Sequence, residues 1–284
     1  MHATSAYAPP TNPQRSGWPG FPWTFLAAIF ALSLPLWILG YLTDARLMPG
    51  LPVSALMFVC PAIVAGAFAY RIGGMHGVRE LLARVFDARR IKSVAWFVPM
   101  VLLMPGVLGA TYAAMRIAGL PLPEPRVAWL QTPILFLVFF VAATGEELAW
   151  SATVLDPLQD RLGALRAAVI IGVVGALWHA IPFSQVHPSV TWILGQTVFM
   201  VAFRVVLVWL YNGAGRSVFA VIVFHAMYNV AWQLFPNQGS GYNPWIAAAI
   251  TVLVAVVLVA LRGARTLTGR ASSPGNPACR TVTR

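Results

Sequence analysis

The chain has 284 residues, 59% of them hydrophobic and only 10% charged, with a formal net charge of +11. A soluble domain carries charge on about a quarter of its residues, so a water-soluble globular protein is excluded from the start. Cys60 and Cys279 are the two cysteines, which leaves neither a disulfide framework nor a paired-cysteine metal motif.

Residues 1–22 are polar and rich in proline (Pro9, Pro10, Pro13, Pro19, Pro22) and read as a cytoplasmic N-terminal segment. Apolar runs then recur at 23–42, 51–70, 94–115, 132–155, 166–183, 190–211, 217–235 and 245–261. Each is close to the ~20 residues that cross ~30 Å of hydrocarbon. Backbone groups in lipid need partners within their own segment, so runs of this length are helices; the alternation of barrel strands is absent. The first run is too long for a signal-peptide core and lacks a small-residue cleavage site, so it counts as a span. The expected fold is all-α, a polytopic membrane bundle of about eight transmembrane helices forming one domain over 23–262.

Between the second and third spans, GMHGVRELLARVFDARRIK (74–92) sets Val78, Leu81, Leu82, Val85 and Phe86 on one helical face and arginines on the other. That pattern suits a short helix in the membrane interface; a solvated loop is the alternative. Residues 263–284, rich in Arg, Ser, Thr, Pro and Gly, read as a disordered cytoplasmic tail.

With eight spans, fifteen of the nineteen Lys and Arg residues fall on one side of the membrane. Arg46, Arg116 and Arg126 fall on the other, and Arg204 lies inside the sixth span. The positive-inside rule then places both termini in the cytoplasm. The basic charge is a topology signal and a contact for anionic lipid headgroups, not a nucleic-acid surface. The preference for arginine over lysine points to a bacterial source, hence a bacterial plasma membrane.

Among the eight acids, only Glu146 and Glu147 lie deep in a span, and among the five histidines only His179 and His225 do. An ionisable group at that depth costs roughly 2.5–3.5 kcal/mol on insertion scales, which makes function the default reading. From helical rise, Glu146 lies about 13 Å, His225 about 12 Å and His179 about 20 Å from the inner ends of their helices. Asn229 follows His225 by four residues and shares its face. A lone intramembrane histidine or asparagine can be interhelical glue. Adjacent glutamates are harder to dismiss, because neighbours on a helix point about 100° apart and do not share one partner.

No GxSxG elbow, HExxH pair or Gly-rich phosphate loop is present. What remains is a carboxylate and a histidine able to hold and deprotonate water, with a second histidine and an amide as donors to an oxyanion. Two adjacent carboxyl groups in such surroundings ionise one well before the other.

The stretches GEELAWSATVLDPLQDRLGAL, GALWHAIPF and SVFAVIVFHAMYNVA, in this order, resemble the motifs of the CPBP family. These intramembrane glutamic endopeptidases include the type 2 CAAX prenyl proteases and the bacterial Abi, bacteriocin-processing proteins. The resemblance covers roughly 50–235, with a motif core over 132–235. It implies that Glu146 is the general base that activates water, with His179 sharing that water. By the same resemblance His225 and Asn229 stabilise the oxyanion and Glu147 orients the site. The implied substrate is a peptide or a lipidated protein, cut near the cytoplasmic leaflet, with membrane lipids as the other partner and no nucleic acid. No cofactor is implied.

The chain departs from the family here: the second glutamate is usually followed four residues later by arginine and then by glycine, and those positions are Ser151 and Ala152. Two fates follow for Arg204: it replaces the missing partner of Glu147, or it snorkels to the cytoplasmic interface. Three other functions stand beside the protease. One is a proton-coupled transporter relaying protons through these groups. Another is a zinc hydrolase using Glu146, His179 and His225 as ligands. The last is a non-catalytic or immunity-type membrane protein of the same fold, which Ser151 keeps open.

Overall fold

A computed structural model describes residues 22–43, 45–124, 130–236, 238–239 and 241–269. Asp44, Arg126, nearly all of the N-terminal segment and the tail beyond residue 269 lie outside the described residues. Seven helical stretches are long and apolar enough to cross a membrane. They are α1 (Trp23–Leu42), α2 (Val59–Ala83, with short 3-10 turns at both ends), α3 (Phe97–Ile117), α4 (Thr132–Ala149) with its extension, α6 (Ala164–Val186), α7 (Val190–Gly213) and α9 (Pro244–Arg262). The extension of α4 is a π-helical stretch, Trp150–Leu155, followed by α5 (Asp156–Leu162). α8 (Val218–Leu234) is apolar and 17 residues long, the lower limit for a span. The expected all-helical architecture is thus found, and every expected span has its helix.

Polar residues at the start of several helices accept the N–H groups that a first turn leaves free. Ser189 caps α7 through Trp192 N, Ser217 caps α8 through Ala220 N, and Asn243 caps α9 through Trp245 N and Ile246 N. α4 packs on α2 and α8, α6 on α7, α7 also on α8 and α9, and α1 on α2 and α6. α4, α6, α7, α8, a hairpin at residues 46–52 and the 3-10 turn before α2 enclose a space, while α3 and α9 brace the outside of α8 and α7.

Three local features differ from the sequence reading. A small hairpin of β1 (Arg46–Met48) and β2 (Leu51–Pro52) precedes α2, so the second helix starts later than its apolar run. The backbone leaves helical geometry at Gly74 (φ 58°, ψ −149°) and helix resumes to Ala83. Leu81 and Val85 then pack into the bundle while Leu82 and Phe86 stay exposed. That divided face gives the stretch a bundle side and a lipid side.

The third difference is a correction. Disorder was expected from residue 263, yet 263–269 folds back onto the start of α6. Ala164 N donates to Arg265 O at 2.9 Å and Leu165 N to Ala264 O at 3.0 Å, and Leu267 is fully buried. The first turn of α6 needed acceptors, and the chain end supplies them.

Candidate active site

The site begins with a close approach. A Cβ on Gly145 would lie 2.4 Å from Phe58 O, so only glycine lets α4 come this near the start of α2. Gly172 plays the same part for α6 and α7, where a Cβ would lie 2.9 Å from Val201 Cα. The first contact sets the height of Glu146 and Glu147, and the second brings Arg204 inward.

The two glutamates point to different partners, as their angular separation on a helix requires. Glu147 is fully buried and lies behind the cavity wall. Its Oε2 accepts from Arg204 Nη1 at 2.9 Å and also from the Ser151 hydroxyl in a short hydrogen bond. Its Oε1 accepts from His225 Nδ1 at 2.9 Å. One carboxylate therefore ties together α4, α7, α8 and the π-helical stretch.

Of the two fates open to Arg204, the structure shows the ion pair. The guanidinium is 7% exposed and does not reach the interface. A charge held in the interior needs a counter-charge and hydrogen bonds, and Glu147 offers both. Ser151 adds a neutral donor where its side chain brings no charge. Ser151 lies within the π-helical stretch. The Thr153 hydroxyl donates five residues back, to Leu148 O at 2.7 Å, in the wider turn. Such turns recur at functional sites.

Glu146 points the other way, into a cavity of about 500 Å³. Its Oε1 lies 3.9 Å from His179 Nε2, beyond a direct hydrogen bond and suited to a shared water. His179 Nδ1 lies 2.8 Å from Gly175 O. A carbonyl only accepts, so Nδ1 carries the proton and the Nε2 of a neutral ring is free to take one. His225 and Asn229 also line this cavity, one helical turn apart on α8. Glu146, His179, His225 and Asn229 thus share one cavity, and Glu147 stands behind them holding His225. Among the described residues, no three His, Cys, Asp or Glu side chains form a metal-holding group. His225 Nδ1, moreover, is committed to Glu147.

Away from the carboxylates the wall is apolar and aromatic. His187 stacks on Trp192 with ring centroids 3.8 Å apart, and burial pushes the His187 imidazole down from its ordinary range, which favours its neutral form. Gln196 donates to the Tyr228 hydroxyl at 3.1 Å and accepts from Tyr242 at 2.7 Å. Burial pushes the Tyr242 hydroxyl well above its usual value, so it stays a donor. The sequence reading passed over Gln196 because it weighed ionisable residues. An amide deep in an apolar helix is the signal that would have found it.

Residues 128–231 match the family model described as type II CAAX prenyl endopeptidase Rce1-like. The CAAX prenyl protease 2 of Methanococcus maripaludis is 23% identical over 236 residues, which span 75% of this chain and 84% of that protein. The matched segment contains all five residues singled out above. With the helical bundle that carries them, these matches make the chain similar to CAAX-type intramembrane proteases.

Proposed function

We propose that the chain hydrolyses a peptide bond with a water held between Glu146 and His179. The observation that carries this reading is the 3.9 Å gap between Glu146 Oε1 and His179 Nε2 inside a cavity also lined by His225 and Asn229. In the proposed step the water oxygen adds to the substrate carbonyl carbon and its proton passes to Glu146, assisted by His179. The carbonyl oxygen becomes an oxyanion that Asn229 and the Nε2–H of His225 stabilise. His225 enters this step as an imidazolium, its Nδ1–H held by Glu147 at 2.9 Å and its charge facing the developing oxyanion. Collapse of the intermediate breaks the C–N bond, and the proton on Glu146 moves to the leaving amine.

The substrate in this reading is a polypeptide segment flanked by apolar groups, which fits the wall of the cavity. Processing of a prenylated tail, as the name of the Methanococcus maripaludis relative suggests, and processing of a bacterial peptide both fall within that class.

The test is cleavage of a quenched-fluorescent apolar peptide by purified protein in liposomes. Glu146→Gln should lower turnover at least ~100-fold, the usual scale for a positioned acid-base group, with unfolding unchanged. Cleavage retained by the variant would overturn the reading, as would solute flux without cleavage. Activity abolished by chelators and restored by zinc would favour the metal alternative.

A further inference from the structure

On the face of α7 turned away from the proposed site, a second cavity of about 570 Å³ opens on the outside of the bundle. Val201 and Val205 of α7, Val252, Val256 and Val259 of α9, and Leu165 at the start of α6 form much of its wall. The α9 residues recur at intervals of four and three, so they share one helical face, and they extend the groove about 10 Å along the helix. The wall is apolar apart from Thr197, whose hydroxyl is spent on Ile193 O at 2.9 Å. Val256 is 57% exposed at the edge. Such a groove offers water no partner, and left empty its walls forfeit their dispersion contacts. Between helices that span a membrane, hydrocarbon fills it.

The groove ends among arginines. Several charged side chains at that end of the bundle are committed to one another. Asp87 accepts from Ser217 Oγ, Val218 N and Phe219 N, which clamps the first turn of α8, and it pairs with Arg84 at 2.8 Å. Arg84 also donates to Tyr211 and to Arg216 O, while Tyr211 donates to Asp156 and Arg216 pairs with Asp156 and Asp160. Arg166, Arg262 and Arg265 differ. All three are exposed, and among the described residues no carboxylate lies within ion-pair distance of them. The fold gathers them at the foot of the groove. Arg262 follows Val259 by three residues and shares its face, and Arg166 adjoins Leu165. The returning chain end bonds Arg265 O to Ala164 N and Ala264 O to Leu165 N, which lays Arg265 beside Gly163.

We infer that this groove binds an anionic phospholipid, with an acyl chain between α7 and α9 and the phosphate among Arg166, Arg262 and Arg265. A basic pocket between membrane helices suits an acidic headgroup, and arginine stems can lie along apolar surface while their charge reaches it. A free phosphate would satisfy the arginines and leave the groove empty. A second copy would fill the groove, but copies inserted in one orientation bring both sets of arginines to one depth, where like charges repel. Only a lipid answers both parts. Its place has a consequence for the proposed site, because Val201 and Val205 flank Arg204, whose guanidinium points inward to Glu147 at 2.9 Å. The lipid thus backs the helix that holds the partner of Glu147, and binding to the folded chain stabilises it. Lipid binding needs no proteolysis.

The test uses the full chain purified in neutral detergent, with bound lipid read by native mass spectrometry and thermal unfolding followed in the same samples. Phosphatidylglycerol should bind and raise the unfolding temperature, and phosphatidylcholine should bind at least ~10-fold more weakly. Arg262→Gln with Arg265→Gln should weaken phosphatidylglycerol binding at least ~10-fold, the scale of two arginines beside an anionic headgroup. Arg79→Gln with Arg89→Gln removes the same charge at exposed positions elsewhere and should leave binding unchanged. Val256→Trp fills the groove from its edge and should also weaken binding, whereas Leu253→Trp, 64% exposed outside the groove, should not. Either pair decides alone should the other fail to fold. Equal binding of the two lipids, an equal loss in the Arg79 and Arg89 control, or full binding by Val256→Trp would each overturn the inference. So would inorganic phosphate alone reproducing the stabilisation, or a dimer that Val256→Trp dissociates. No readout here involves turnover, so loss of the proteolysis reading would show separately, in the Glu146→Gln assay.

Discussion

The two ends of this bundle use opposite chemistry. At the arginine-rich end, charged and polar side chains from distant segments interlock, and the helices there cannot part without breaking Asp87, Tyr211 and Asp156 from their partners. At the hairpin end the described contacts are mostly aromatic and aliphatic, joined by hydrogen bonds between neutral groups, such as Gln233 to Pro49 O and Tyr242 to Gln196, with no ion pair among the residues that line the cavity there. Charged bonds thus fix the helices that carry the site at one end, and neutral contacts hold them at the other.

That contrast is sharpened by three substitutions. The largest effect belongs to Arg204→Met, which strands a buried carboxylate beside His225. Removing one partner of a buried pair costs about 3–5 kcal/mol, and thermal unfolding in detergent should show the loss. Adding Glu147→Gln should recover part of it, because the stranded charge is then gone. A single variant as stable as the parent would mean that the pair is not structural.

Next comes Asp87→Ala, which removes the acceptor for the first turn of α8. A lost cap is worth about 0.5–2 kcal/mol, so unfolding should shift by that amount while turnover per folded molecule stays near the parent value. A collapse of turnover with little change in unfolding would show that the arginine-rich end takes part in the chemistry. The smallest effect is Ser151→Ala, about 1 kcal/mol for one hydrogen bond, with activity retained because Arg204 still compensates Glu147. Loss of activity there would assign Ser151 a role that one hydrogen bond to Glu147 does not explain.

The spans were legible because an apolar run of that length has one solution in lipid. Glu146, Glu147, His179, His225 and Asn229 stood out because polar groups at such depth need a reason. Other parts had no local signature. The bond from Asp87 to Ser217 joins residues far apart in the chain, and periodicity carries nothing about such a partner. Arg204 left two fates open because helical rise gives depth but not rotation. The π-helical stretch at Trp150–Leu155 has no mark in the sequence, where the mostly apolar pattern simply continues.

The clamp at the beginning of α8 also sets a lever. His225 stands about 10 Å from the pivot at Val218, and Trp232 about 21 Å, at 1.5 Å per residue. A small tilt about Asp87 moves the tryptophan at the rim roughly twice as far as the imidazole. The helix thus holds the reactive ring nearer its fixed end and the rim tryptophan farther from it.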